Sequence, residues 1–167
     1  MADSYRLNVL KRLTAHLRGI TKANGYAYDL ANNVFRGRAV FGADDPVPLV
    51  SILESPRNDA GQFAGENNSA RVENWSLLIQ GWAVDDDKAN PTDSAYGLMD
   101  AVERHLLRLT KTSGGTRGPT YPDEYLLGRT VGGVTLFPGV VRPPMEQVSS
   151  KAFFYLPVQL ELVREIG

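Results

Sequence analysis

The stretch Lys151-Ala152-Phe153-Phe154-Tyr155-Leu156-Pro157-Val158-Gln159-Leu160-Glu161-Leu162-Val163 decides the fold. Large apolar side chains occupy every second position from Phe154 to Leu162, which is the period of a β-strand that buries one face. We therefore predict a strand from about Lys151 to Val163. Pro157 has no N–H to give to a strand ladder, so it predicts an edge position or a bulge.

Three further strands are predicted around this one. The longest runs from Val72 to Val84 and carries apolar side chains on both faces, which is typical of a central strand that is covered on two sides. Its faces are Trp75, Leu77 and Ile79, and Leu78, Trp82 and Val84. The run Leu49–Leu53 follows Pro46 and Pro48, and a last candidate runs from Val131 to Phe137. A weaker pattern between Asn24 and Phe41 predicts a short hairpin.

Two helices are predicted from apolar stripes at three- and four-residue steps. The first begins at Asp3 or Ser4, which can cap it, and ends near Arg18 before Gly19. Its apolar stripe is Leu7, Leu10, Leu13, Leu17 and Ile20, and its cations off the stripe are Arg6, Lys11, Arg12 and Arg18. The second is predicted to begin with Asn90 as cap and Pro91 as first helical residue, and to end near Lys111.

Together these elements predict an α+β fold. We expect one domain over residues 1–167, with a mixed or mainly antiparallel sheet, two principal helices packed on it and two long loops. The loops span Glu54–Ala70 and Thr112–Glu124, which are poor in apolar side chains. Loops of this length inside a compact domain are usually functional or disordered.

Composition excludes several classes of protein. The chain has 167 residues, 18 Lys or Arg against 19 Asp or Glu, and no Cys. Disulfides, thiolate metal sites and Cys nucleophiles are therefore excluded. No apolar run is long enough to cross a membrane, and we expect no signal peptide. The net charge of −1 argues against a general nucleic-acid binder but leaves a local basic patch open.

Catalytic signals are weak, so we expect no enzyme, no cofactor and no metal. His16 and His105 each lie among leucines in a predicted helix. Asp85-Asp86-Asp87 could hold Mg²⁺ or Ca²⁺, but it is more simply an acidic turn before the second helix. The glycines of the 111–118 segment follow a helix, whereas a phosphate-binding loop requires them between a strand and a helix.

The two long loops are the main remaining candidates for a functional surface. Each combines an arginine with one aromatic side chain, and both residue types are enriched at protein interfaces. The predicted interface residues are Arg57, Phe63, Arg117, Tyr121 and Tyr125.

Three segments, taken in order, resemble the tail terminator (minor tail protein U-like, tail-completion) proteins of long-tailed bacteriophages. They are Pro46–Pro56, then Trp75–Asp86 with Asn90–Tyr96, then Val148–Pro157. The resemblance implies a small α+β structural protein that forms a six-membered ring at the head-proximal end of the tail tube. Such a ring ends tube polymerisation and binds the head's neck proteins, and genomic DNA passes through its lumen. The family carries no catalytic residues.

Other interpretations stay open. Another head–tail connector or head-completion protein would also be a small ring former. A small metal-dependent hydrolase would use Asp85, Asp86 or Asp87 with His105, and a bacterial ligand-binding module is a third possibility.

Overall fold

The computed structural model describes residues 4–39, 41, 44–54, 70–84, 89–110, 125–144 and 151–165. Its helices are α1 (Tyr5–Leu17), α2 (Asp93–Leu107) and the single turn α3 (Leu126–Arg129). Its strands are β1 (Val34–Arg36), β2 (Leu49–Glu54), β3 (Ala70–Trp82), β4 (Gly133–Leu136), β5 (Val140–Arg142) and β6 (Phe153–Glu165).

All six strands form one sheet in the order β1-β2-β3-β6-β4, with β5 also paired to β6. Only β1 and β2 are parallel. The long strands β3 and β6 pair from Ala70↔Glu165 to Trp82↔Phe153 and form the centre of the sheet. The predicted α+β fold, with a mainly antiparallel sheet and two principal helices, is confirmed. The predicted single domain over residues 1–167 includes the two long loops. Because these loops lie largely outside the described residues, its extent stays a prediction.

One face of the sheet forms the main core with α1 and α2. The alternating apolar set of β6 faces these helices and is at most 1% exposed. Burying such side chains is the main stabilising contribution to a domain of this size. No helix in the described ranges combines the length and the apolarity that crossing a membrane requires.

The two helix starts differ in how well they could be predicted. Ser4 caps α1, since its hydroxyl oxygen accepts the Leu7 N–H at 3.2 Å. The predicted Asn90 cap is wrong, because α2 begins at Asp93. The Asn90 carbonyl instead accepts the Asp93 N–H in a turn at 3.2 Å, and the Ser94 hydroxyl donates to Val84 O at 2.7 Å. This second bond ties the first turn of α2 to the chain leaving β3.

The predicted hairpin between Asn24 and Phe41 is also wrong. Lys22–Asn24 forms a 3-10 turn, and β1 then pairs in parallel with β2, with Val34 beside Val50. Leu30 explains the difference, because its fully buried side chain and its hydrogen bond to Ile20 O (2.8 Å) fold this segment back on the end of α1.

Pro157 marks a bulge and not an edge, since β6 lies between β3 and the β4–β5 side. Leu136 pairs with Val158 and Val140 pairs with Tyr155, so residues 137–139 face only two residues of β6. One extra residue on one strand is the definition of a β-bulge. The Phe137 N–H donates to Pro157 O at 3.0 Å, and the reciprocal N–H is the one that proline lacks.

The single turn α3, which precedes β4, is left-handed, and nothing in the sequence predicted it. Leu126, Leu127, Gly128 and Arg129 all have positive φ, from 49° to 72°. Such a conformation is unfavourable for residues other than glycine. Its ends are held by the Arg129 N–H, which donates to Tyr125 O at 2.9 Å, and by the Tyr5 hydroxyl, which donates to Thr130 O.

Candidate interaction surface

Within the part of the chain that the structure describes, the sheet face opposite the helices is covered at one end only. There Leu49, Trp82 and Phe153 are buried, and the Phe41 ring lies 4.4 Å from the Trp82 ring between centroids. Arg38 and Phe41 belong to the segment that covers this end, called the covering segment below. The Ser51 hydroxyl donates to Arg38 O at 2.6 Å and fixes the covering segment to β2. The predicted two-sided covering of β3 is therefore confirmed at its Trp82 end.

Arg38 holds the covering segment in shape. Its guanidinium lies 4.3 Å from the Phe41 ring centroid and 5.1 Å from that of Phe35, within the range of cation–π attraction. One of its nitrogens lies 3.5 Å from an Asp45 carboxylate oxygen. Because Arg38 is 44% exposed, the ion pair itself contributes little to stability.

Further along the sheet, the same face carries an apolar row that the described segments leave accessible. Leu53 pairs with Leu78, Leu78 pairs with Pro157, and Phe137 lies opposite Pro157. Paired residues of antiparallel strands point to the same side of a sheet, so these four side chains form a line about 14 Å long across β2, β3, β6 and the residue that follows β4. Phe137 is 43% exposed and the other three are half-buried. Leu53, Leu78, Pro157 and Phe137 are called the apolar row below.

Polar side chains border the apolar row on both sides. Ser51, Gln80 and Tyr155 pair across the sheet on one side, and Ser76, Gln159 and Thr135 pair on the other. Ser51 and Gln80 are buried, so the accessible part of this margin is Tyr155, Ser76, Gln159 and Thr135. An apolar strip with an accessible polar margin is typical of a protein-binding surface.

The structure describes one of the five predicted interface residues, Tyr125. Arg57, Phe63, Arg117 and Tyr121 are outside the described residues. Tyr125 is half-buried at the start of α3, where its carbonyl accepts the Arg129 N–H. Because α3 contacts α1, Tyr125 lies on the helix side of the sheet and away from the apolar row.

Sequence reasoning missed the apolar row as a surface. Leu78 and Pro157 were both noted, one for its strand face and one for its missing N–H. What places them side by side is the register between β3 and β6, which the alternation of either strand alone leaves open.

The two histidines form a contact between α1 and α2. Their rings stack with centroids 4.1 Å apart, His16 Nε2 donates to His105 O at 2.8 Å, and His105 Nε2 donates to His16 O at 2.7 Å. A carbonyl can only accept, so both Nε2 atoms carry hydrogen. His105 Nδ1 then accepts from the Tyr26 hydroxyl at 2.7 Å in the neutral ring.

His105 therefore has a structural role in joining α1 to α2. Both of its ring nitrogens are bonded and the residue is 4% exposed, so it presents no nitrogen to a substrate. Asp85, Asp86 and Asp87, its partners in the hydrolase interpretation, lie outside the described residues. Within the described ranges no three His, Asp or Glu side chains come close enough to hold a metal ion together.

Comparison with known proteins adds no assignment: no protein-family model matches the chain, and no curated protein matches it.

Proposed function

We propose that the protein is a bacteriophage tail terminator. Six copies form a ring at the head-proximal end of the tail tube, end tube polymerisation and provide the surface on which the head joins. Its partners are further copies of itself, the tail tube protein, the neck proteins of the head and the genomic DNA that crosses the lumen without sequence-specific binding. It acts in the virion after assembly in the cytoplasm of the host bacterium, without a cofactor or a membrane.

The segments that carry the resemblance support this proposal by their positions in the fold. Pro46–Pro56 includes β2, Trp75–Asp86 includes most of β3, and Val148–Pro157 includes the first part of β6. These strands are consecutive neighbours in the sheet. The three strand segments therefore lie side by side in the sheet, and Asn90–Tyr96 covers the start of α2, which contacts β3 and β6.

The observation that carries the proposal is the apolar row. It gives the molecule an accessible binding surface on one side of the sheet, while the helices occupy the other side. A ring requires heterologous contacts, in which one patch of each copy meets a different patch of the next. The apolar row would supply one of the two patches that each copy needs for such a contact.

Loss of the gene from the phage would test the function. A terminator stops the tube, so its absence is expected to give tails that are longer than normal and carry no head. A head–tail connector does not limit the tube, so its absence would give headless tails of normal length. Electron micrographs of the lysate separate these outcomes, and tails of normal length would contradict the proposal in favour of a connector.

The surface can be tested separately with matched variants. Leu78→Ser/Phe137→Ser removes apolar area from the row, and Tyr96→Ser/Leu107→Ser removes apolar area from two exposed positions of α2. We expect light scattering to show loss of the ring in the first variant only, with both variants folded by circular dichroism. A ring that survives the row variant would remove this surface from the proposal.

The loop residues supply a further test of assembly. Charge reversal at Arg57 or Arg117 is expected to impair ring formation while leaving the thermal midpoint unchanged. Normal assembly in both variants would remove these two residues from the interface.

A further inference from the structure

The two most exposed large apolar side chains in the described part of the chain both lie on α2. Tyr96 is 56% exposed and Leu107 is 49% exposed. At 100° and 1.5 Å per residue, they lie about 20° apart around the helix axis and about 16 Å apart along it. Both are on the side of α2 that faces away from the sheet, opposite the buried Leu98, Val102 and His105.

Two carboxylates lie between these apolar side chains. Asp100 and Glu103 fall within an arc of about 60° that also contains Tyr96 and Leu107, so all four share one side of the helix. The steps between successive members are those of the a and d positions by which one helix packs along another. This surface therefore has an apolar side chain at each end and an acidic centre. Tyr96, Asp100, Glu103 and Leu107 are called the outer face below.

The negative charge at this centre is only partly balanced within the described residues. The Asp100 carboxylate accepts from Arg104 Nε at 2.9 Å. Glu103 has no such partner on α2, because the residues one helical turn away from it are Met99, Asp100, Leu106 and Leu107. Partial burial, and then the charge of Asp100, raise the pKa of Glu103 above its ordinary value. A positive group supplied by a partner would therefore be favourable at Glu103.

These features together describe the kind of partner that fits. Tyrosine is enriched at protein interfaces, and the spacing of the outer face matches the side of a second helix. The acidic centre repels phosphate and favours Lys or Arg. The outer face is on the helix side of the sheet, whereas the apolar row is on the opposite side. A helix bound to α2 would therefore leave the apolar row accessible.

We propose that the outer face binds a helix of a partner protein, with an apolar side chain at each end of the contact and Lys or Arg between them. The cations lie beside Asp100 and Glu103, and the apolar side chains pack against Tyr96 and Leu107. This contact is separate from the contact between copies in the proposed ring and does not depend on it. In a ring, several copies of the outer face would bind their partner together and strengthen a contact that is weak for one copy.

The test is a titration of the ¹⁵N-labelled full chain with a synthetic helical peptide of about 18 residues, followed by ¹H–¹⁵N correlation spectra. The basic peptide carries two leucines at the spacing of Tyr96 and Leu107, with two arginines at the spacing of Asp100 and Glu103, in an alanine and glutamine background. The acidic peptide has glutamates in place of the arginines. Because the spacing reads the same in both directions, one peptide tests both orientations of the bound helix.

We expect the basic peptide to shift the amide signals of the outer face and to leave those of the apolar row unchanged. It should bind about fivefold more tightly than the acidic peptide, since exposed ion pairs are individually weak. Glu103→Arg should reverse this preference, and arginine is a good helix former. The spectrum of each free variant shows directly whether its fold is intact.

Matched variants test the apolar ends of the contact. Tyr96→Ser/Leu107→Ser should abolish the shifts with both peptides. Leu7→Ser makes the same kind of change at a leucine of α1 that is 36% exposed, and it should leave binding of the basic peptide within about twofold of the original.

Three results would overturn the proposal. Absence of shifts on α2 at millimolar peptide would exclude the helix contact. Equal binding of the two peptides by the original chain would show that the acidic centre does not select the partner. Loss of the ring in Tyr96→Ser/Leu107→Ser would assign the outer face to a contact between copies. Light scattering of the original chain tests the ring by itself, so failure of peptide binding and failure of the proposed function are distinguishable.

Discussion

Gly81→Ala should destabilise the protein strongly, because Gly81 of β3 lies under a ring of β6. Gly81 pairs with Phe154, and a Cβ at position 81 would come within 2.1 Å of Phe154 Cε2 and 2.5 Å of Cζ. Carbon atoms in contact are normally about 3.5–4.0 Å apart, so the ring would have to move by roughly 1.5 Å. Phe154 is fully buried in the main core, so its ring can move only by displacing other core side chains.

Overpacking of this kind costs about 1–3 kcal/mol, which outweighs the 0.5–1 kcal/mol that alanine normally gains over glycine in a strand. In a protein of this length the thermal midpoint should fall by about 2–10 °C. Urea unfolding followed by circular dichroism would measure the free energy of unfolding directly.

Two variants isolate the contact. In a Phe154→Leu background the ring is gone, so Gly81→Ala should cost much less than it does alone, and the coupling between the two changes should be at least about 1 kcal/mol. Gly133→Ala is the matched control: Gly133 also pairs with β6, but the nearest atom to its added Cβ, Glu161 Oε2, is 3.4 Å away. Additive effects of the first pair, or equal losses at both glycines, would refute the reasoning.

Four further changes test other parts of the fold. Arg129→Gly should raise the free energy of unfolding by about 0.5–1 kcal/mol in urea titrations because Arg129 is exposed at φ 63°, whereas Ala15→Gly in the middle of α1 should lower it by about 1 kcal/mol. Tyr26→Phe should cost about 1–3 kcal/mol, since His105 Nδ1 loses its donor at a buried site; unchanged thermal unfolding would contradict that hydrogen bond. Burial and a neighbouring carboxylate raise the pKa of Glu103 above its ordinary value of 4.5, so the folded protein binds this proton more tightly than the unfolded chain does. The ionised side chain therefore destabilises the fold as pH rises through that raised pKa, and Glu103→Gln should stabilise the protein at pH 7, with a gain that disappears well below pH 4.5.

The elements that were predicted correctly are those whose pattern is contained in one stretch of chain. The alternation of β6 and the helical period of α1 each span enough residues to be seen, and the strand and the helix are both confirmed. The predicted stripe of α1 is wrong at its start, because Leu7 is 36% exposed and Val9 is fully buried instead. The errors arose where contacts between residues far apart in the sequence determine the local structure. The start of α2 depends on the bond from Ser94 to Val84 O, and the fate of the 24–41 segment depends on Leu30 reaching the core.

The candidate surfaces show the same limit. The outer face of α2 lies within one helix, so its spacing is contained in one stretch of sequence. The apolar row could not be predicted in this way, because it joins residues of separate strands whose register is set by pairing.

The most direct measurement of the central claim is the mass of the purified chain by light scattering over a range of concentrations, with negative-stain images of the same fractions. The account predicts a particle of six copies with sixfold symmetry and a central hole. A closed dimer or tetramer would contradict it.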